Sequence, residues 1–125
     1  MINETVEKTL EIIGLSDKAL ARLIKLDIHT IIESKKEKNW NNLTPDALKR
    51  LGGVCFLVTQ ELNLYQPAVI LEILNKRTFK DIDDKLYSVL TALESDKFDV
   101  RSVVEIGRRA RDLYELFPLK TSEFR

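Results

Sequence analysis

The segment from Leu20 to Ile32 constrains the fold most, because two short apolar stretches flank a polar break. Apolar residues recur at helical spacing on both sides of that break: Leu20, Leu23 and Ile24 before it, and Ile28, Ile31 and Ile32 after it. Ser16 and Asp27 stand where the two helices would begin, and both residue types are favoured N-caps. The pattern therefore predicts short helices over about 16–24 and 27–36, joined by a tight turn.

Helical spacing continues along the rest of the chain. Only 4 glycines and 3 prolines occur in 125 residues, so long loops are not expected. With 44% hydrophobic residues, a chain of this length can bury a core without disulfides or metal. We expect a single all-α domain over residues 1–125, a compact bundle of about six or seven helices. A mild change in composition near residues 63–66 suggests a possible subdivision into units 1–62 and 66–118.

Start and stop signals place the other helices. The pattern predicts them over about residues 3–13, 44–62, 68–74, 78–93 and 99–117, with a polar loop over 37–43. Gly14 is expected as a left-handed cap, Thr44-Pro45 as a helix start, and Pro118 as the end of the last helix. Gly52-Gly53 marks a close helix crossing, a kink, or a break in its helix.

The first half of the chain carries a family resemblance. Ala21 supplies the small residue that a helix-turn-helix needs where its helices cross, and apolar anchors surround it. With the capped helix that begins at Thr44, residues 14–62 resemble the Xre-like family of phage-repressor-type DNA-binding domains. The chain is also similar to Xre-like antitoxins, which add a helical module after the DNA-binding unit. The resemblance implies a small, non-enzymatic transcriptional regulator or antitoxin-like protein, acting as a homodimer on double-stranded DNA.

Charge defines the expected DNA contacts. The whole chain is neutral, whereas residues 17–50 hold eight basic and five acidic residues, a net charge of +3. Phosphates attract such a surface. We expect phosphate contacts at Lys35, Lys36, Lys38 and Arg50, and base-edge contacts at His29 and Thr30. For the lysines near residue 36, an ordinary solvated helix end remains an equal alternative.

A second interpretation is a protein-interaction or dimerisation module that does not bind DNA. The groove face of the second short helix carries two isoleucines and two acids, a composition unusual for reading base edges. Lys25 stands where glycine is common, and Ser34 where an apolar anchor is common. Under this interpretation a partner or second copy covers an interface that includes Ile28, Ile32, Trp40, Arg101, Arg108 and Arg111. Two alternatives stay open: Trp40 as a lid over the core, and the arginines as a solvated face paired with Glu105, Asp112 and Glu115.

The residue inventory favours a non-enzyme. His29 is the only histidine and Cys55 the only cysteine, so neither a metal set nor a nucleophile with its base can be identified. Cys55 lies in an apolar run and is expected to be a buried, inert thiol. No cofactor, metal or membrane contact is expected. A charged N-terminus without an apolar run predicts a cytoplasmic location.

Overall fold

The computed structural model describes residues 2–116, and this part of the chain is all-α, as predicted. Seven α-helices and one short hairpin follow in this order: α1 (Ile2–Ile13), α2 (Asp17–Ile24), α3 (Ile28–Glu37), α4 (Pro45–Phe56), α5 (Pro67–Asn75), β1 (Phe79–Lys80), β2 (Leu86–Tyr87), α6 (Val89–Glu94) and α7 (Val100–Leu116). A π-helical turn, Leu57–Glu61, extends α4. Within 2–116, no helix combines the length and apolarity that crossing a membrane requires.

Local caps set most helix boundaries where the sequence predicts them. The Ser16 hydroxyl accepts a hydrogen bond from the Ala19 amide at 3.1 Å, which begins α2. The Thr44 hydroxyl accepts a hydrogen bond from the Ala47 amide at 3.2 Å, which begins α4. Gly14 ends α1 in the left-handed region at φ 59°. Each cap satisfies a backbone group that a helix end leaves unpaired, so the boundary depends on neighbouring residues only.

Helix α4 lies at the centre of the bundle. It packs against α1, α2 and α7, and its residues Ala47, Leu51 and Val54 are almost fully buried. Apolar residues from both halves of the chain, including Val103 and Ile106 of α7, belong to the same buried cluster. The two units suggested by composition therefore contribute to one core.

Two glycines permit the close approach of α4 and α7. A Cβ atom added at Gly53 would lie 2.7 Å from Val100 Cγ1, and one added at Gly107 would lie 2.6 Å from Leu57 Cδ2. Real Cβ atoms do not come so close to neighbouring carbons, so each glycine is required by the packing. The predicted close crossing at Gly52-Gly53 is confirmed for Gly53, and the helix continues through the pair without a break.

Trp40 is a core residue, which corrects its expected place in an exposed interface. Its side chain is 0% exposed, and its indole Nε1 donates to Glu7 Oε2 at 2.5 Å. Its backbone amide donates to Asn3 Oδ1 at 2.9 Å. The polar loop thus folds onto α1, and Trp40 is a lid over the core, the alternative to an interface role that the sequence left open.

The helix predicted from Thr78 is wrong in its first half, where the chain forms the β1–β2 hairpin. Phe79 pairs with Tyr87 and Lys80 with Leu86 in an antiparallel register. The Asp81 carboxylate accepts hydrogen bonds from the backbone amides of Asp83 and Lys85, both at 2.9 Å, and these bonds close the turn. Such side-chain bonds compete with helix formation for the same amides. Helical spacing over 78–93 would bury Ile82 and Leu86, but they are 96% and 43% exposed.

The outer end of α7 also differs from expectation. Val103, Ile106 and Ala110 are buried as predicted, whereas Leu113 is 37% exposed and Leu116 70% exposed. Only one side of this last turn is covered, where the Tyr114 ring packs edge to face on Tyr65 with the centroids 5.5 Å apart. Phe117 and Pro118, predicted as the end of the helix, lie outside the described residues.

The glycine crossing predicts opposite effects for two alanine substitutions. Gly107→Ala should lower the free energy of unfolding by about 1–3 kcal/mol, because its methyl group would collide with buried Leu57. Gly52→Ala is the matched control, since a Cβ there meets nothing within 4 Å, and it should stabilise the helix by up to about 1 kcal/mol. Urea denaturation measures both. Equal effects of the two substitutions would contradict the packing at Gly107.

Candidate functional site

Helices α2 and α3 form a compact pair around the turn at residues 25–27. Lys25 adopts the left-handed conformation at φ 60°, and the Leu26 amide donates to the Ala21 carbonyl at 3.0 Å. Ala21 is buried on α2, and Ile31 and Ser34 are buried on α3. The small Ala21 side chain lets two helices meet after a three-residue turn. We call this pair the α2–α3 unit.

The opposite side of α3 faces outward. His29, Ile32, Glu33 and Lys36 are exposed there, while Ile28 and Thr30 are half-buried. These positions follow the three- and four-residue spacing that places side chains on one helix face. The predicted base-edge residues His29 and Thr30 and the predicted interface residues Ile28 and Ile32 thus belong to the same helix. Ile32, at 46% exposure, is the largest apolar side chain on that face.

Lys35 and Arg50, two of the expected phosphate contacts, have partners inside the molecule. Lys35 Nζ lies 2.5 Å from Asp17 Oδ1 and so joins α3 to the start of α2. Arg50 Nε lies 2.9 Å from Asp46 Oδ2, and its Nη1 donates to the Leu93 carbonyl at the end of α6. With its side chain only 13% exposed, Arg50 serves as a link between α4 and α6.

Other cations are available near the α2–α3 unit. Lys36 and Lys38 are exposed and form no ion pair within residues 2–116. Lys18 and Arg22 are also exposed on α2, and with Lys25 they line a shallow cavity of about 480 Å³. Lys18 and Arg22 are four residues apart, and Arg22 and Lys25 are three residues apart. This helical spacing is visible in the sequence, but the predicted set of DNA contacts omitted these cations.

Arg108 and Arg111 belong to an ion-pair network on α7. Arg108 Nε and Arg111 Nη1 both contact Glu61 Oε1, at 3.2 and 2.6 Å. Two of the three acids expected as partners are confirmed, because Glu105 binds Arg108 and Asp112 binds Arg111. Donation from Arg108 and Arg111 holds the pKa of the Glu61 carboxyl below its usual range. The third arginine of the predicted stripe, Arg101, is exposed and outside this network.

The described residues form no cluster of metal-binding side chains. No three or more His, Cys, Asp or Glu side chains within 2–116 are arranged to hold a metal ion. Cys55 is buried as predicted, and burial raises the pKa of its thiol, which favours the unreactive protonated form.

The comparisons with known proteins leave the α2–α3 unit to be interpreted from its own geometry. No protein family, no curated protein and no solved structure matches the chain.

The pKa of Glu61 predicts a pH-dependent contribution to stability. A carboxyl whose pKa is lowered by folding stabilises the protein above its unfolded pKa of about 4.3, and this contribution disappears as pH falls through the folded pKa. Glu61→Gln should therefore be less stable than the parent chain at pH 7 and approach it below about pH 4. Urea denaturation across this range is the test.

Glu72→Gln is the control, because Glu72 is exposed on α5 and forms no ion pair within the described residues. This variant should track the parent chain at every pH. A loss of stability in Glu61→Gln that stays constant from pH 7 to pH 3 would contradict the role of the ionised carboxylate.

Proposed function

We propose that this protein is a small DNA-binding regulator of the helix-turn-helix type, in which α3 enters the major groove. The observation that carries the proposal is the α2–α3 unit, with a small residue at the helix crossing, a left-handed turn residue and an uncovered outer face on the second helix. In this class of protein the first helix crosses the DNA backbone while the second reads base edges. The antitoxin-like role belongs to the same proposal.

The residues take different parts in this proposal. His29 and Thr30 stand in the first turn of α3, the end that meets base edges in this class. Lys36 and Lys38 contact phosphate at the other end of the helix. Lys18 and Arg22 of α2 extend the same electrostatic contact along the backbone. Lys35 and Arg50 hold the helices in place through their internal partners and are positioning residues.

The number of available cations limits the salt dependence. Four exposed basic side chains, at residues 18, 22, 36 and 38, contact at most about four phosphates. Each neutralised phosphate contributes about −0.9 to the slope of log affinity against log salt. We therefore expect a slope no steeper than about −4 on a generic duplex. Glu33, exposed on the same face of α3, weakens non-specific attraction further.

Lys38 offers a variant that separates DNA binding from folding. It has φ 53° at the C-terminus of α3, a conformation that costs a non-glycine residue about 1 kcal/mol. Lys38→Gly should therefore raise the free energy of unfolding by up to about 1 kcal/mol. It should also weaken duplex binding and reduce the salt slope by about 0.9. Thermal denaturation and fluorescence anisotropy on a labelled duplex measure the two effects.

Lys76→Gln is the matched control for lost charge, since Lys76 is exposed at the end of α5, away from the α2–α3 unit. It should leave affinity and slope unchanged. DNA binding that is absent at low salt, or that responds equally to Lys76→Gln and Lys38→Gly, would contradict the proposal.

A dimerisation module is the second candidate, because Ile32 is exposed at the centre of the outer face of α3. A second copy packed there would remove Ile32 and half-buried Ile28 from water. This arrangement explains the apolar character of the face without DNA. It also uses the uncovered surface of α3, so the two candidate functions compete for one site.

Two isoleucine-to-lysine substitutions distinguish the candidates. Under the dimer candidate, Ile32→Lys should convert a dimer to a monomer, whereas Ile82→Lys, in the more exposed hairpin turn, should not. Under the DNA proposal, Ile32→Lys should leave the oligomeric state unchanged and increase affinity for a generic duplex, since it adds a cation. Light scattering and anisotropy on the same samples provide both readouts.

A further inference from the structure

A second concave site lies between the hairpin and α7, on elements that the DNA proposal does not use. Phe79 of β1, Phe98 from the segment before α7, and Ile106 of α7 provide its apolar surface. The cavity measures about 290 Å³, close to the lower limit for pockets that enclose small organic molecules. We call it the hairpin pocket.

Aromatic packing fixes the walls of the hairpin pocket. The rings of Phe79 and Phe98 meet edge to face with their centroids 5.7 Å apart. The ring of buried Tyr87 also meets Phe98 edge to face, with a centroid distance of 4.8 Å. Edge-to-face contacts of this kind hold rings in defined orientations. The register pairs Phe79 directly with Tyr87, so both rings lie on the same face of the hairpin. The apolar surface is therefore built by the hairpin, the element that sequence periodicity missed.

Two arginines stand on the rim of this apolar surface. The Arg109 guanidinium lies over the Phe79 ring, 5.7 Å from its centroid. Arg101 lines the pocket two helical turns earlier on α7. Neither arginine forms an ion pair within residues 2–116, unlike their neighbours Arg108 and Arg111. Hydrogen bonds from Ser102 and, to a smaller extent, the charge of Arg101 lower the pKa of the Asp99 carboxyl, so Arg109 is the guanidinium better suited to bind a carboxylate from a ligand.

Glu105 limits the charge that a ligand can carry. It also lines the pocket, so two arginines and one glutamate give the walls a net charge of +1. Its Oε1 accepts a hydrogen bond from Arg108 Nη1 at 2.6 Å, which directs that oxygen to Arg108. A monoanion matches this balance better than a doubly charged phosphate group.

We propose that the hairpin pocket binds a small aromatic monocarboxylate. The aromatic ring lies against Phe79, Phe98 and Ile106, and the carboxylate binds Arg109, with Arg101 as the second cation. The apolar surface accounts for the aromatic ring of the ligand, and the Arg109 guanidinium, with Arg101 nearby, accounts for its negative charge. This inference is independent of DNA binding, because its site contains no residue of the α2–α3 unit.

Three matched compounds test the two halves of this ligand. Isothermal titration calorimetry would compare 3-phenylpropionate, its neutral amide 3-phenylpropionamide, and propionate, which lacks the ring. The carboxylate with the ring should bind, and each of the other two should bind at least tenfold more weakly. Equal binding of the amide, equal binding of propionate, or no binding of 3-phenylpropionate would overturn the proposal.

Variants locate the binding site on the protein. Arg109→Gln should raise the dissociation constant for 3-phenylpropionate at least tenfold, and Arg101→Gln should raise it less. Glu105→Gln should lower the dissociation constant by removing a like charge, an effect that loss of folding cannot mimic. Arg22→Gln is the control, because Arg22 is an exposed arginine of the other cationic cavity and should have no effect. Equal losses in Arg22→Gln and Arg109→Gln, or weaker binding in Glu105→Gln, would contradict the assignment.

Discussion

The close contact between α4 and α7 is the constraint on which the rest of the structure depends. Gly53 and Gly107 leave out the two Cβ atoms that would separate these helices, and Val100 and Leu57 occupy the space. The stabilising free energy gained by burial at such a crossing is roughly proportional to the apolar area removed from water. Because α4 also packs against α1 and α2, its position relative to α7 sets the position of the N-terminal helices.

The polar groups at the bundle surface divide into those that hold helices together and those that remain available. Lys35, Arg50 and Glu61 each join two elements through hydrogen bonds or ion pairs. Such partly exposed pairs contribute little stability individually, so their main effect is to fix relative helix positions. The side chains without an ion pair in the described residues include Lys36 and Lys38 of the α2–α3 unit and Arg109 of the hairpin pocket, and also Glu72 and Lys76 outside both sites. This division supports both proposals, since a surface group used for folding is not free for a ligand.

The sequence was sufficient to predict helix boundaries wherever interactions between neighbouring residues determine them. The caps at Ser16 and Thr44 and the left-handed Gly14 depend on bonds within a few residues, and the predicted boundaries match. The same reasoning failed at the hairpin, where the Asp81 side chain competes with a helix for backbone amides. An aspartate near a helix start favours either structure, and the packing of Phe79 and Tyr87 against Phe98 decides between them.

The candidate site could be predicted from the sequence less completely than the fold. Lys35 and Arg50 have partners far away in the chain, and Trp40 reaches Glu7 across the core, so no local pattern identifies them as internal. The exposed α2 cations follow a visible helical spacing, but their exposure depends on which face α4 and α6 cover. Helix faces can be predicted from periodicity, whereas the use of a charged group depends on tertiary contacts.

We propose that the outer face of α3 binds DNA, and amide chemical-shift mapping with a generic duplex is the sharpest test of this proposal. We expect salt-sensitive shifts at residues 18, 22, 29–30 and 36–38, with the amides of residues 101–109 unaffected. Shifts confined to α7, or none at low salt, would contradict it.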